Sequence, residues 1–347
     1  MRHRFRPAAT FAVVALLFAS VATPSQAAAG GPYTETHQVL RERLGTDGKA
    51  YPVLRLDGLR LRKDRPKLFY AMYTGAKAFG GPVGAGARVD MLQSAWITCS
   101  TGEPASTQAY PDRSAMTTRN HEGGAGVRRA VSVLWLFKPS TDGTYSCVLW
   151  GLGGGMIKSP QRWMNIVQDP AATVMRMTNQ DEAGAAEWYQ GKDVHLCNTP
   201  SQAAGCGGKT ATVLRAQWTA DPKARSIDAF HGTQFSSASG GMDPFVAETT
   251  LVVMQIDKRG KACTPVRTAK DRVSIPGVVH HLKVNRRIDD VPIVTGNGCT
   301  RTFVIKVEAR YVLTRTTGTP NRPGFVHGPV EAGPLRPYST AIAMNNF

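Results

Sequence analysis

The stretch STDGTYSCVLWG, residues 140–151, combines a turn with the beginning of an apolar strand. Asp142-Gly143 is a turn dipeptide, and the run from Tyr145 to Leu149 is apolar apart from one serine. Cys147 lies inside that run, where a core-facing side chain can form a disulfide. The stretch therefore predicts a turn followed by a core strand, with the Tyr145 hydroxyl reaching back to the turn as a corner device.

Period-two alternation extends the strand interpretation along the chain. The clearest example is Arg301–Thr314, where alternate residues are apolar and would share one face: Phe303, Ile305, Val307, Ala309, Tyr311 and Leu313. An Asp57-Gly58 pair between short apolar runs predicts a hairpin over residues 54–61. We predict an all-β fold, an antiparallel β-sandwich that is either single or duplicated as two tandem sandwich domains. Few short helices are expected, the best candidates being residues 37–44 and 181–190.

Gly143, Tyr145 and Cys147 form the pattern G-x-Y-x-C, which resembles the tyrosine corner of immunoglobulin-like domains. The rest of that family's pattern is missing. Its core tryptophan follows the first cysteine by about a dozen residues, whereas AYPDRS occupies that region after Cys99 and Trp135 comes much later. The resemblance therefore implies an antiparallel sandwich with a disulfide corner, and the spacing argues against a true immunoglobulin domain.

The N-terminus predicts Sec-type export to an extracellular location. Residues 1–27 contain a basic start (MRHRFR), an apolar run and small residues suited to cleavage after Ala27, which is the pattern of a signal peptide. No later segment approaches the length of a spanning helix, so no membrane span is expected after the signal is removed.

Six cysteines in an exported chain predict three disulfides: Cys99, Cys147, Cys197, Cys206, Cys263 and Cys299. Sequential pairing is our preferred connectivity, although six cysteines allow about 15 arrangements and the sequence does not fix one. No C-x-x-C spacing occurs, so the pattern favours disulfides and predicts no metal site.

The length suits one large β domain or two smaller ones. We predict a first β-sandwich domain over residues 28–200 and a second β-rich domain over residues 201–318, which could also continue the first fold. Residues 319–347 are rich in Pro and Gly and predict an extended tail, either packed along the body or loose.

A formal net charge of +17, or +14 once the three leader arginines are removed, predicts an anionic partner. The expected partner is an acidic cell-wall polymer or another secreted protein, and the predicted contact is a basic patch of Lys283, Arg286 and Arg287. Nucleic acid is disfavoured because the basic residues are spread out and are not interleaved with aromatic residues. The sequence does not indicate an oligomeric state.

A hydrolase is the alternative from another functional class. His231, Asp228 and Ser236 supply a Ser/His/Asp composition in one short segment, and His281 is a second histidine around which such a set could form. The segment lacks the G-x-S-x-G elbow, and the chain has no H-E-x-x-H, no P-loop and no dinucleotide motif after a strand, so no cofactor is predicted.

We therefore predict a secreted, disulfide-stabilised binding protein rather than an enzyme. A structural envelope protein without a discrete ligand is a third interpretation. Rigid β scaffolds with functional loops are typical of secreted binding modules, which is an analogy at the level of the fold.

Overall fold

The architecture is described from a computed structural model of the chain. The structure describes residues 33–34, 38–39, 43–45, 47–79, 91–121, 127–155, 164–169, 172–179, 181–197, 208–237, 245–275, 281–296, 298–312, 324–328 and 338–347. The predicted signal peptide, residues 1–27, lies outside the described residues.

The first half of the chain forms two sheets that enclose one core. Sheet I contains β1 (Tyr33–Thr34), β3 (Arg43–Gly45), β5 (Lys67–Phe79), β8 (Arg128–Phe137), β10 (Met164–Gln168) and β11 (Val174–Thr178). Sheet II contains β2 (Gln38–Val39), β4 (Asp47–Leu61), β6 (Met91–Ser100), β7 (Thr117–His121) and β9 (Gly143–Gly155). Phe69, Val133 and Trp135 from sheet I pack with Leu56 and Ile97 from sheet II, so the two sheets form a sandwich.

The second half repeats this arrangement with two further sheets. Sheet III contains β12 (Ala186–Tyr189), β13 (Val194–Leu196), β15 (Ser226–Ser237), β18 (His281–Pro292), β20 (Gly324–Val326) and β21 (Thr340–Asn346). Sheet IV contains β14 (Thr210–Thr219), β16 (Phe245–Asp257), β17 (Arg267–Ile275) and β19 (Cys299–Tyr311). Ile227 and Phe235 from sheet III pack with Leu251, Phe303 and Ile305 from sheet IV in a second core.

The predicted all-β antiparallel sandwich class is confirmed, since every described strand pair is antiparallel. Strand β19 has the predicted alternation: Phe303, Ile305 and Val307 are buried, whereas Lys306 and Glu308 are partly exposed. Alternation identifies this strand because only one of its faces meets the core.

Two local predictions are wrong. The described parts of residues 37–44 and 181–190 contain β2, β12 and part of β3, and no α-helix occurs among the described residues. Residues 54–61 do not form a hairpin but belong to the single strand β4, whose register with β9 shifts between Leu56 and Leu59. Gly58, with a φ of 69°, supplies the left-handed conformation there, so the Asp57-Gly58 pair makes a β-bulge.

The cysteines pair sequentially where the structure describes both partners. Cys99 on β6 and Cys147 on β9 lie directly opposite each other and form a disulfide, and Cys263 is bonded to Cys299. Cys197 is also disulfide-bonded, while Cys206 lies outside the described residues.

The opening stretch folds as a corner. The Tyr145 hydroxyl donates to the backbone carbonyl of Thr141 at 3.1 Å, and its ring packs edge-on against Phe137 at 5.5 Å between centroids. The corner device expected for Tyr145 is therefore present, at the entry to β9.

The ends of the second half lie within sheet III. Strands β12 and β13 precede residue 200 and pair with β21 and β20, and β21 also pairs with the inner strand β15. The described parts of the predicted tail thus pack along the body as strands. The domain boundary near residue 200 stays a prediction.

Candidate functional site

The predicted set of His231, Asp228 and Ser236 lies on one strand, β15, but the structure does not bring the three side chains together. Asp228 is buried and accepts a hydrogen bond from Arg287 Nη2 at 2.5 Å. His231 is buried as well, and its Nδ1 is 2.8 Å from Thr233 Oγ1. The triad assignment is therefore corrected: Asp228 is engaged by the neighbouring strand, and His231 bonds within its own strand.

Burial makes His231 a neutral core residue. Desolvation lowers its pKa to about 3, and the positive charges of Arg286 and Lys283 act in the same direction. Its Nε2 is buried and has no hydrogen-bond partner among the described residues. His231 is therefore held neutral in the core, where protonation of its ring is strongly disfavoured.

The predicted basic patch does not form a shared cationic surface. Arg286 pairs with Asp271 at 2.6 Å, and Arg287 pairs with Asp228 at 2.5 Å. Lys283 Nζ donates to Thr117 Oγ1 at 2.9 Å, and burial lowers its pKa to about 8. Each of the three cations has a partner within the protein, but the Arg286 side chain remains exposed beside Asp271. Polymer binding by this patch stays a prediction.

Ser236 has different partners from those expected. Its Oγ lies 2.5 Å from His281 Nδ1 and 2.8 Å from His327 Nε2, and the two imidazole rings are 5.3 Å apart between centroids. Ser236 has no exposed surface. The serine hydroxyl therefore bridges two histidines from the strands that flank β15, His281 on β18 and His327 directly after β20.

Strand register explains this gathering. Ser236 is opposite His281 on β18 and opposite Phe325 on β20, and Phe325 is in turn opposite His195 on β13. Residues directly opposite in a sheet share a face, as do residues two apart in one strand. We call this group of six residues the histidine face: Asp193, His195, Ser236, His281, Phe325 and His327.

Aromatic contacts hold the histidine face together. The His195 ring stacks on Phe325 at 5.6 Å, and the Phe325 ring meets His327 edge-on at 4.6 Å between centroids. The His327 ring contacts both Phe325 and His281, and these two contacts fix its orientation towards Ser236.

Asp193 completes a linear set with His327 and Ser236. Its Oδ1 lies 3.7 Å from His327 Nδ1 and accepts a hydrogen bond from the Gly328 backbone N–H at 2.9 Å. Burial by itself would raise the pKa of Asp193, but the nearby His327 and the hydrogen bond from Gly328 outweigh that effect and lower the pKa. The carboxylate is therefore ionised and held beside the imidazole.

The sequence pattern did not indicate Asp193 or His327 as partners of Ser236. They belong to segments separated by more than a hundred residues, beside the three-residue strands β13 and β20. The sequence indicated only Ser236 and His281 as candidate reactive residues. Strand pairing in the structure adds Asp193 and His327.

A second candidate surface is the solvent side of sheet IV, which we call the cationic face. Register places five basic and two acidic side chains there: Arg215, Lys270, Arg272, Lys306, Arg310, Glu248 and Glu308. Lys306 pairs with Glu308 at 2.6 Å and Arg310 with Glu248 at 2.8 Å. The other three cations, on edge strands β14 and β17, are exposed and form no ion pair with any described residue.

No helix in the described part of the chain is long and apolar enough to cross a membrane. Among the same residues, no group of three or more His, Cys, Asp or Glu side chains is arranged to hold a metal ion.

No model of a known protein family matches the sequence, and neither does any curated protein. Solved structures similar to the chain include the N-terminal CBM22-1–CBM22-2 tandem domain of Paenibacillus barcinonensis Xyn10C, at 10% identity and a TM-score of 0.23, covering 92% of this chain and 95% of that one. The infectious bursal disease virus VP2 subviral particle matches at 14% identity and a TM-score of 0.24, covering 90% and 77%. The cowpea mosaic virus top component matches at 8% identity and a TM-score of 0.25, covering 91% and 89%. Because TM-scores this low do not indicate a shared fold, the architecture rests on the chain's own sheets and cores.

Proposed function

We propose that the protein is an exported binding protein whose cationic face contacts an anionic polymer, such as an acidic polysaccharide of the cell wall. The observation that carries the proposal is the exposure of Arg215, Lys270 and Arg272 without ion-pair partners among the described residues. Side chains that have no internal counter-ion attract anionic groups from solution.

The spacing of these cations suits a polymer. Arg215 lies on edge strand β14 and Lys270 on the opposite edge strand β17, with β19 and β16 between them. Neighbouring strands are about 4.8 Å apart, so the two cations are separated by roughly 14 Å across the sheet. A surface of that width contacts several charged groups of one polymer at once.

Disulfides and the leader support export. Disulfides such as Cys99–Cys147 and Cys263–Cys299 persist in oxidising compartments outside the cytosol. The signal-peptide pattern of residues 1–27 points to the same location.

Retention on immobilised alginate, with neutral dextran as the uncharged control, tests the proposal. The protein should be retained on alginate and not on dextran, and its retention on alginate should weaken as the salt concentration is raised, because salt screens exposed charges. The triple variant Arg215→Gln, Lys270→Gln, Arg272→Gln should bind about 10- to 100-fold more weakly, since each exposed charge contact contributes about 0.5 to 1 kcal/mol.

A matched control removes the same charge elsewhere. Arg60, Arg62 and Lys63 are exposed at the end of β4 and just beyond it. Their triple replacement by Gln should leave retention close to that of the wild type. Equal losses in the two triple variants, or retention that does not respond to salt, would contradict the proposed surface.

A further inference from the structure

We propose that Ser236 is a nucleophile that accepts small acyl groups, with His327 as its general base and Asp193 as the residue that positions His327, so that the protein hydrolyses short-chain acyl esters. This activity is independent of polymer binding and lies on a different sheet.

The geometry assigns the base. The Asp193 carboxylate lies 3.7 Å from His327 Nδ1, which favours the tautomer with the proton on Nδ1 and leaves Nε2 free to accept one. His327 Nε2 is 2.8 Å from Ser236 Oγ, within reach for proton transfer. The order carboxylate, imidazole, hydroxyl is that of a nucleophilic triad built from three separate segments.

His281 complements this arrangement. Its Nδ1 is 2.5 Å from the same Ser236 Oγ. Because the hydroxyl gives its single proton to His327, His281 acts as a donor to the oxygen through Nδ1–H. The two histidines thereby orient the hydroxyl, and the Asp193 carboxylate lies beside the far nitrogen of His327.

The reaction balances with water as the co-reactant. Ser236 Oγ bonds to the ester carbonyl carbon as its proton passes to His327 Nε2. The ester C–O bond then breaks, and the alkoxide leaves with that proton as an alcohol. Water, deprotonated by the same Nε2, attacks the acyl-serine, and the proton returns to Ser236 as the carboxylic acid leaves.

Burial restricts the substrate. Ser236 has no exposed surface, while the side chains of His327 and Asp193 remain 12% and 27% exposed. Approach therefore occurs from the side of these two residues, and this restricted access favours a short acyl group over a long one. The chemical class is an acetyl or similarly short ester.

The experiment compares hydrolysis of p-nitrophenyl acetate and p-nitrophenyl octanoate by the full chain. The acetyl ester should be turned over well above the rate of Ser236→Ala, and the octanoyl ester at least about tenfold more slowly than the acetyl ester. A small fluorophosphonate should add its phosphoryl group to the peptide that contains Ser236, detected by mass spectrometry. The control Ser274→Ala, at an exposed serine on β17, should behave as the wild type.

Asp193→Asn separates positioning from folding. This variant should retain fluorophosphonate labelling at a reduced rate and lose about 10²- to 10⁴-fold in kcat/KM, with the loss in kcat rather than in KM, because the imidazole is no longer held towards Ser236. Circular dichroism and thermal melting confirm that each variant is folded. A folded wild type that neither labels at Ser236 nor exceeds Ser236→Ala in acetyl ester hydrolysis would overturn the assignment.

Discussion

The side-chain amide of Gln234 forms two hydrogen bonds with the backbone of Thr118. Gln234 Nε2 donates to the Thr118 carbonyl at 3.0 Å, and Thr118 N donates to Gln234 Oε1 at 3.2 Å. Thr118 lies on β7, the edge strand of sheet II, and Gln234 lies on the inner strand β15 of sheet III. Both residues are buried. A glutamine from sheet III thus satisfies edge-strand groups of sheet II that would otherwise be unpaired.

Replacing Gln234 with Met should therefore destabilise the protein strongly. Methionine is similar in length but leaves the Thr118 N–H and C=O buried without partners, at about 1 to 3 kcal/mol each. We expect a loss of about 2 to 4 kcal/mol in the free energy of unfolding, measured by urea denaturation. Gln217→Met, at an exposed position on β14, should change stability by less than about 0.5 kcal/mol. Similar values for the two variants would show that the amide pair does not contribute.

The corner at Tyr145 predicts a smaller effect. Tyr145→Phe removes the hydroxyl that donates to the Thr141 carbonyl and leaves the ring against Phe137. The same hydroxyl lies 3.1 Å from Thr141 Oγ1, and loss of these neutral hydrogen bonds should lower the free energy of unfolding by about 1 to 2 kcal/mol. Tyr189→Phe, whose ring is 42% exposed, is the matched control and should leave stability nearly unchanged. A Tyr145→Phe variant as stable as the wild type would rule out the corner bond.

Local patterns predicted the parts of this fold that depend on one strand at a time. Alternation identified β19 because its two faces meet different environments, and the turn before Tyr145 was readable from Asp142-Gly143. The Asp57-Gly58 pair led to a wrong hairpin prediction, because a glycine with positive φ occurs both in two-residue turns and in β-bulges. Only pairing with β9 distinguishes the two, and pairing is non-local.

The candidate site was harder to predict than the fold, because its residues come from different strands. Ser236 and His281 were recognisable as reactive residue types, yet the choice of His327 and Asp193 depends on β20 and β13 joining sheet III. Likewise, the charge of the chain indicated a basic surface, but Lys283, Arg286 and Arg287 each have a partner within the protein. The cationic face depends on the register of sheet IV.

Glu187 should make stability fall as pH rises. Burial raises its pKa to about 8, although the Leu136 N–H and the charge of Lys283 oppose the shift. The folded state therefore keeps a proton that the unfolded chain releases near its ordinary pKa of about 4.5, and stability is lost between that pH and 8. Glu187→Gln cannot ionise, so its stability relative to the wild type should increase over that interval by on the order of 4 to 5 kcal/mol.

Urea titrations of Glu187→Gln at several pH values measure this difference. Glu248→Gln, on the cationic face, provides the matched control because its carboxylate is partly exposed and paired with Arg310. If the stability of Glu187→Gln relative to the wild type stays constant with pH, Glu187 is ionised in the folded protein and the prediction is wrong.

His231 should make the protein sensitive to acid. Its folded pKa is lowered to about 3 by burial and by the charges of Arg286 and Lys283, whereas an unfolded histidine titrates near 6.5. Below pH 6.5 the unfolded chain binds a proton that the folded protein excludes. The stability that the neutral His231 contributes is therefore fully present above pH 6.5 and is lost as pH falls towards 3.

His231→Gln cannot be protonated and should therefore lose less stability between neutral pH and pH 4, by about 3 kcal/mol. Thr233→Val removes the hydroxyl partner of His231 Nδ1 but keeps the titrating group, so its stability should be lower at every pH with the slope of the wild type. Parallel pH curves for the wild type and His231→Gln would mean that the imidazole is protonated inside the fold, contrary to its burial.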